Sequence, residues 1–462
     1  MRGKRLPATP RGVAVSKRLA VSGSGSWPDR LLEDLPQDWP DRDREFVTAL
    51  VQETTRLERF LDDQLSPFLK MPLERLDPPV REILRTAACQ LCAMERLPAH
   101  AVVSEAVHLA RAAVHEGATG LVNAVLRRLA ATEDRFWSMA VARVAAAEPE
   151  TLEPAEVAKA LSLPDALLEL WWRERGPEDA VGLGIAAGRP TPFALRVRTV
   201  REAVLEQLLA AGVVARPGDL LPEEIRLESP GRLADLPGYR EGAWAVQGPA
   251  AMLATHVLDP QPGERVADLG AAPGGKTGHV LTRMQGQGEV WAVDLHPARL
   301  ARLEANVARL RTGAPRVVAA DATDAEELAR AGLQPGTFDR VLLDVPCSGL
   351  GTLYRKADLR WRWSALRTRE LARLQARMIR VAFQLLRPGG TLVYATCTLA
   401  REENEQVVET FLDDQDDALP SDLARWLPRE WSGEAERGMM TLLPHRHGTE
   451  GFFLARLQRL SS

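Results

Sequence analysis

The sequence predicts an α/β domain with a mostly parallel, doubly wound sheet, preceded by a block of helices. Three observations lead there. From Gly242 onward short apolar runs alternate with helical stretches, the pattern of strands joined by crossover helices. Between Asp41 and Leu129 apolar residues recur at helix spacing instead, as in Phe46, Leu50, Leu57, Phe60 and Leu61. Finally, an apolar run ending in Asp268 leads into G-A-A-P-G-G-K-T at 270–277. A strand, a glycine loop and a helix start are how an open α/β sheet holds a small ligand.

A chain of 462 residues has room for two or three domains. Apolar residues make up 45% and charged residues 26%, an ordinary globular balance. The formal net charge of −4 means that any surface for a polyanion must be local. Only four cysteines occur, Cys89, Cys92, Cys347 and Cys397, which excludes a disulfide scaffold and suits a reducing, cytoplasmic setting. No apolar run is long enough to cross a bilayer, so no membrane partner is expected. The N-terminus carries Arg2, Lys4, Arg5, Arg11, Lys17 and Arg18 with no acid before Asp29. It lacks an apolar signal core. Residues 1–27 therefore read as a flexible basic tail, or more sharply as an arm for phosphates.

Residues 28–147 read as a compact helical domain. Val80, Leu84, Ala87, Leu91 and Met94 mark one further helix, and 98–114 and 120–129 two more. Cys89 and Cys92 share one helix, without a second ligand pair or a βαβ context. They read as small core residues rather than a redox or zinc motif. The strings D-R-D-R-E-F-V at 41–47, I-L-R at 83–85, Q-L at 90–91, P-A-H-A at 98–101, E-A-V at 105–107 and N-A-V-L-R-R at 123–128 resemble the NusB-like helical domain. That resemblance implies RNA binding.

Residues 148–239 read as a small α/β linker module. A helix with Trp171 and Trp172 is followed by a break at Pro190 and Pro192, an alternating strand at 193–199 and a helix at 202–211. Residues 240–462 form the α/β domain, with strands expected at 265–269, 289–293, 316–319, 338–343 and 391–395. Runs at 439–443 and 452–457 are expected to add an antiparallel pair.

The loop at 270–277 satisfies the phosphate-loop pattern G-x-x-x-x-G-K-[ST], and V-L-L-D at 341–344 could pass for its metal-binding strand. Three features oppose a triphosphate. Asp268 would repel phosphate. Pro273 removes an N–H from the cradle. Asp294 ends the second strand, where an acid accepts hydrogen bonds from a ribose diol. S-adenosylmethionine is cationic, carries a ribose and has no phosphate. The expected cofactor contacts are Asp268, Gly270, Ala271, Ala272, Pro273, Gly274, Gly275, Lys276, Asp294, Arg299, Asp321 and Asp344, with Asp321 placed for the adenine amine. G-x-G-x-x-G is absent, which leaves a dehydrogenase unsupported. No metal is expected.

Cys347 follows the fourth strand in D-V-P-C-S-G-L-G at 344–351, and Cys397 follows the fifth in Y-A-T-C-T at 394–398. Both thiols can enter one cleft. Such a pair suits methylation at C5 of cytosine. A thiolate adds to C6 and makes C5 nucleophilic, and a second group assists loss of the C5 proton and of the thiol. Asp344 is the candidate to bind the base edge. The residues alone leave open which cysteine attacks.

The strings at 268–277 and 344–353, together with Arg355, Lys356, Arg360, Trp361 and A-T-C-T at 395–398, resemble the Sun-type RNA cytosine-C5 methyltransferases. The resemblance implies a Rossmann-like class I methyltransferase sheet, mostly parallel and seven-stranded. It implies Cys397 as nucleophile, Cys347 for product release and Lys276 in the active site. Joined to a NusB-like domain, it implies methylation of 16S rRNA in the small subunit, by an enzyme expected to be a monomer. Four positions depart from the family pattern. Arg198 stands where Asn is usual, Gln247-Gly248 where Gln-Asp is usual, Val345 where Ala or Pro is common, and G-T-E-G at 448–451 where G-x-D-G is usual. The basic and aromatic stretch at 354–363 is expected to grip RNA. Rival readings are a tRNA or other rRNA cytosine-C5 methyltransferase, a P-loop ATPase and a non-catalytic RNA-binding assembly factor.

Overall fold

The computed structural model describes residues 6–24, 31–32, 34–36, 38–94, 97–114, 116–189, 193–228 and 231–461. The chain divides into two compact units. One comprises residues up to Arg189 together with Leu353–Arg362, and the other Pro190–Thr352 with Trp363–Ser462.

The first unit is helical. Its main helices are Pro10–Ser24, Asp41–Arg56, Glu58–Leu65, Pro78–Cys92, Ala99–Ala113, Glu116–Ala130, Trp137–Ala146, Pro154–Ala160 and Asp165–Gly188, the last broken at Gly176 ahead of Pro177. The expected periodicity is realised: Leu50, Leu57, Leu61, Ile83, Leu84, Leu109 and Val122 meet in one core. Cys89 and Cys92 are buried in it, and burial pushes both thiols up. They pack as core residues.

Two expectations fail in this unit. The tail expected to be flexible at 1–27 contains the helix Pro10–Ser24. Ala14 and Val15 enter the core, and Arg18 is fully buried. Its guanidinium donates to Glu82 Oε2 at 3.0 Å, Thr55 Oγ1 at 2.7 Å and Glu58 Oε2 at 2.5 Å. This arginine is therefore not available to phosphate. Arg2, Lys4 and Arg5 lie outside the described residues. The expected boundaries at 147/148 and 239/240 also fall elsewhere. Residues 148–189 pack with the helical unit: Gly188 closes on Trp137, Arg59 Nη1 donates to Leu163 O at 2.6 Å and Phe60 N to Ser162 Oγ at 3.3 Å.

The second unit begins with a four-stranded antiparallel sheet, β1 (Phe193–Val197), β2 (Val214–Pro217), β3 (Glu224–Glu228) and β4 (Trp244–Val246), in the order β2-β3-β1-β4. The main sheet follows: β5 (Arg265–Leu269), β6 (Glu289–Asp294), β7 (Arg316–Ala319), β8 (Phe338–Asp344), β9 (Leu386–Thr396), β10 (Ala418–Pro420), β11 (Met439–Leu442) and β12 (Phe452–Arg459). Its order is β10-β12-β9-β8-β5-β6-β7, with β11 on β12. Among the described residues the sheet thus has eight strands. β5 to β9 run parallel, and β10, β11 and β12 pair antiparallel at one edge. The expected count of seven omitted the three-residue β10. Alternate residues enter opposite cores: Ala267, Leu269, Val341 and Leu343 on one face, Val266 and Leu342 on the other.

The strand order reverses at β5, which lies between β6 and β8. The crevice beyond the carboxyl ends of strands at such a switch point is where open α/β sheets bind ligands. Every expected cofactor acid and both candidate cysteines, Cys347 and Cys397, lie at or just past those ends.

Candidate active site

The glycine loop is pinned at both ends. The N–H groups of Gly270 and Ala271 donate to Val293 O at 2.9 and 3.0 Å. Gly270 has φ +82°, and a Cβ there would lie 2.1 Å from Asp344 O. Gly274 has φ +97° and abuts Leu303. Neither position tolerates a side chain. Arg299 Nη2 donates to Ala272 O at 2.6 Å and Asn306 Nδ2 to Pro273 O at 2.9 Å. Gly275 and Lys276 then open the helix Gly275–Arg283.

Asp268 is fully buried. Burial pushes its carboxyl up to about 7, against the opposing hydrogen bond from Thr277. Thr277 Oγ1 donates to Oδ2 at 2.6 Å, while Oδ1 has no partner. A buried carboxylate oxygen without a donor suits an ammonium group. The phosphate-loop reading loses its parts here. Thr277, which would hold the metal, is spent on Asp268. Lys276 Nζ, which would hold phosphate, lies 2.6 Å from Asp344 Oδ2 and 5.5 Å from the centre of the Phe452 ring.

Asp294 is buried at the end of β6. Its Oδ1 accepts from His296 N at 3.0 Å, and its Oδ2 lies 3.2 Å from Arg299 Nη1. Arg299 therefore braces Asp294 and the loop carbonyl. At the end of β7, Asp321 Oδ1 accepts from the N–H and the hydroxyl of Thr323, both at 2.8 Å.

The two cysteines meet. Cys347 Sγ and Cys397 Sγ are 3.4 Å apart. Their surroundings differ in charge. Lys276 feels the Cys397 sulfur as a neighbouring charge, so Cys397 has a cation close by. Cys347 is pushed well above the usual thiol range by its hydrogen bond with Cys397, by burial and by the negative field of Cys397 and Glu403. Cys397 thus has the Lys276 cation near it, and Cys347 the Glu403 carboxylate.

Residues that the sequence reading passed over hold this pair. Glu403 accepts from Ser348 N at 2.9 Å, from the Ser348 hydroxyl and from Gln375 Nε2 at 3.0 Å. Ser348 Oγ is 2.6 Å from Thr398 Oγ1. Asn404 joins Thr396 Oγ1 and Thr398 O. A signal existed: Gln375 sits among Leu371, Met378, Ile379 and Ala382 on the buried face of its helix, where a polar residue needs a partner.

Two other features change their reading. The stretch expected to grip RNA is largely spent on structure. Arg360 is fully buried in the helical unit and donates to the carbonyls of Arg56, Ser162, Ala187 and Leu353 at 3.3, 3.1, 2.8 and 3.4 Å. Trp361 Nε1 donates to Thr55 O at 2.6 Å. In the second unit Glu223, His256 and His279 form a group with metal-ligand spacing. Glu223 Oε1 lies 2.7 Å from His256 Nε2 and 3.1 Å from His279 Nε2. Arg283 Nη1 is 3.2 Å from His256 Nδ1. An arginine N–H can only donate, so it sets the proton of neutral His256 on Nε2, facing Glu223. The three side chains form a hydrogen-bonded cluster in which the buried Nδ1 of His279 has no partner.

A doubly wound sheet with strand-end acids around a glycine loop and a cysteine pair on the same edge defines a methyltransferase, here in one chain with a NusB-type helical unit. The family of 16S rRNA methyltransferase RsmB/F matches residues 255–458, and the NusB family matches residues 14–131. The probable ribosomal RNA small subunit methyltransferase B of Synechocystis sp. is 34% identical over 437 residues, 93% of this chain and 94% of its own length. Its counterpart of the same name in Bacillus subtilis is 29% identical over 97% of this chain and 98% of its own. The crystal structure of PH0851 superposes with a TM-score of 0.77 at 25% identity, covering 99% of this chain and 100% of that one. The chain belongs to the ribosomal RNA small subunit methyltransferase B family. Among the described residues, no helix is long and apolar enough to cross a membrane.

Proposed function

We propose that this protein methylates C5 of a cytosine in 16S rRNA through a covalent adduct between Cys397 and C6 of the base. The observation that carries the reading is the cysteine pair, 3.4 Å apart, with its two members in opposite electrostatic settings. S-adenosylmethionine, when bound, supplies an electrophilic methyl group. The unpartnered Oδ1 of Asp268 fits its ammonium, and Asp294 and Asp321 fit its ribose and adenine.

Cys397 attacks C6, forming the S–C6 bond and placing the electron pair at C5 for the methyl group. Lys276 favours the attacking thiolate, and Asp344 lies beside it to accept from the base edge. Release requires loss of the C5 proton and rupture of the S–C6 bond. Cys347 serves that half: its thiol gives its proton to the departing sulfur of Cys397 as the S–C6 electron pair returns there, and the Cys347 thiolate so formed takes the C5 proton. The target base must be unstacked for this chemistry.

The helical unit supplies the RNA contact in this reading. A groove of about 710 Å³ lies between Ala99–Ala113 and Glu116–Ala130. It is lined by His100, Ser104, His108, Arg111, Asn123 and Arg127, with no acidic side chain among the lining residues. Imidazoles and guanidinium groups over an apolar floor suit stacked bases and phosphates.

The test is bisulfite sequencing of 16S rRNA from a deletion strain carrying wild-type protein or Cys397→Ala. Wild type restores one 5-methylcytosine and Cys397→Ala does not. Cys347→Ala instead accumulates an RNA–protein adduct on a denaturing gel. An adduct seen only with Cys397→Ala reverses the two roles, and a deletion that loses no 5-methylcytosine removes the rRNA assignment.

A further inference from the structure

Behind the cysteine pair lies a buried carboxylate that the chemistry above does not use. Glu403 has no exposed surface. It sits in the turn Arg401–Glu403, a few residues beyond Cys397. Its side chain nevertheless serves the other loop, accepting from both donors of Ser348, the residue after Cys347. Gln375 extends the grip. Its Nε2 reaches Glu403 Oε2 at 3.0 Å and Pro346 O, the residue before Cys347, at 2.9 Å. Both chain neighbours of Cys347 are therefore tied to Glu403.

The same carboxylate also reaches the Cys397 loop. Ser348 Oγ is 2.6 Å from Thr398 Oγ1, the residue after Cys397. The backbone of Glu403 is fixed in turn, because Tyr394 Oη on β9 donates to its carbonyl at 2.6 Å. One buried acid thus joins the loops that follow β8 and β9. Hydrogen bonds to the Glu403 carboxylate and to its backbone carbonyl hold the two loops together, and their geometry passes to the groups they carry.

Resting on the cysteine chemistry proposed above, we propose that Glu403 is a positioning residue that sets the separation of Cys347 from Cys397, and that the step it governs is release of the covalent adduct. Attack by Cys397 needs only that sulfur, Lys276 and the base. Release needs Cys347 at hydrogen-bonding distance from the departing sulfur. Loosening Glu403 therefore slows the second half-reaction and leaves RNA binding intact.

The experiment compares wild type, Glu403→Gln, Ser348→Ala and Cys347→Ala in full-length protein with 16S rRNA and S-adenosylmethionine. Adduct on denaturing gels, kcat and KM for RNA, and the melting temperature are measured together. Glu403→Gln keeps the size of the side chain but turns one acceptor into a donor that faces donors. It should lower kcat roughly 10- to 100-fold, the scale for misplacing a reacting group, with KM falling in step because adduct builds up as in Cys347→Ala, so that kcat/KM stays within about twofold. Ser348→Ala, which keeps the backbone N–H bond, should give a smaller change in the same direction and serves if Glu403→Gln does not fold. Wild-type kcat in a folded variant overturns the proposal. So does a fall in kcat without adduct, or a rise in KM as large as the fall in kcat. If Cys347→Ala itself forms no adduct, the cysteine chemistry fails instead, and the proposal falls with it.

Discussion

Thr277 Oγ1 donates to Asp268 Oδ2 at 2.6 Å, and that bond decides how the glycine loop works. It removes the hydroxyl a phosphate loop would need for a metal. It also leaves the other oxygen of a buried carboxylate open.

The first prediction concerns pH. Asp268 is raised from an ordinary carboxyl value to about 7 by burial. A carboxyl raised in the folded state stabilises the protein below its unfolded value, and that contribution fades as pH rises through about 7. A ligand cation reverses the sign, because it needs the carboxylate. The rise in melting temperature caused by S-adenosylmethionine should therefore be larger at pH 8 than at pH 6. Asp268→Asn should flatten this difference. Mg-ATP should give no rise at either pH, and a rise with Mg-ATP alone would restore the triphosphate reading.

The second prediction tests the N-terminal helix. Arg18 is fully buried against Glu82, which is itself fully buried, and against Glu58 and Thr55. Removing one partner of a buried pair costs about 3–5 kcal/mol, because the other charge stays behind. Arg18→Ala should lower the stability of the helical unit by that order in denaturant titration of the full chain. Arg11→Ala, whose side chain meets Gln90 at a part-buried position, should cost much less.

Arg18 also marks how far the sequence could be read. The strand-end acids and cysteines were legible because each sits at a boundary between an apolar run and a loop, and topology then brings boundaries together. The helices with period-3.6 apolar faces were legible for the same local reason. Arg18 was not, because its partners Glu58 and Glu82 lie on other helices and nothing local distinguishes it from Lys17. Glu403 was hidden in a similar way. It sits in a run of acids, E-E-N-E at 402–405, that reads as a solvated surface. β10 was missed because three residues carry no period.

A third prediction follows from Arg360, whose guanidinium serves five carbonyls, that of Ala357 included, and no carboxylate. Burial pushes its pKa down to about 9. Arg360→Ala strands those carbonyls, at about 1–3 kcal/mol for each one that finds no other donor. The helical unit should melt several degrees lower. RNA affinity of the folded protein should hold within a factor of about two, since the side chain does not reach solvent. An RNA affinity that falls tenfold with no loss of stability would return this stretch to RNA binding.

The last prediction explains two of the departures from the family pattern as one. Gly248 precedes the helix Pro249–Leu258 and has no side chain with which to cap it. A Cβ at Gly248 would lie 1.8 Å from Glu450 Oε1, so the Glu450 carboxylate occupies that space. Glu450 Oε1 also accepts from Ala251 N at 3.4 Å, the third residue of the helix. That is the donor an Asp at 248 would take as N-cap. Glycine at 248 and the extra methylene at 450 are therefore coupled: a distant carboxylate caps the helix and fills the place of the missing side chain. Gly248→Asp alone should be strongly destabilising, because two carboxylates would share one site. Glu450→Asp alone should cost about 0.5–2 kcal/mol, the value of a cap. Together the two changes should recover stability relative to Gly248→Asp alone, a coupling visible in a double-mutant cycle of denaturant midpoints. Strictly additive effects would mean that Glu450 swings aside freely and that the two positions are independent.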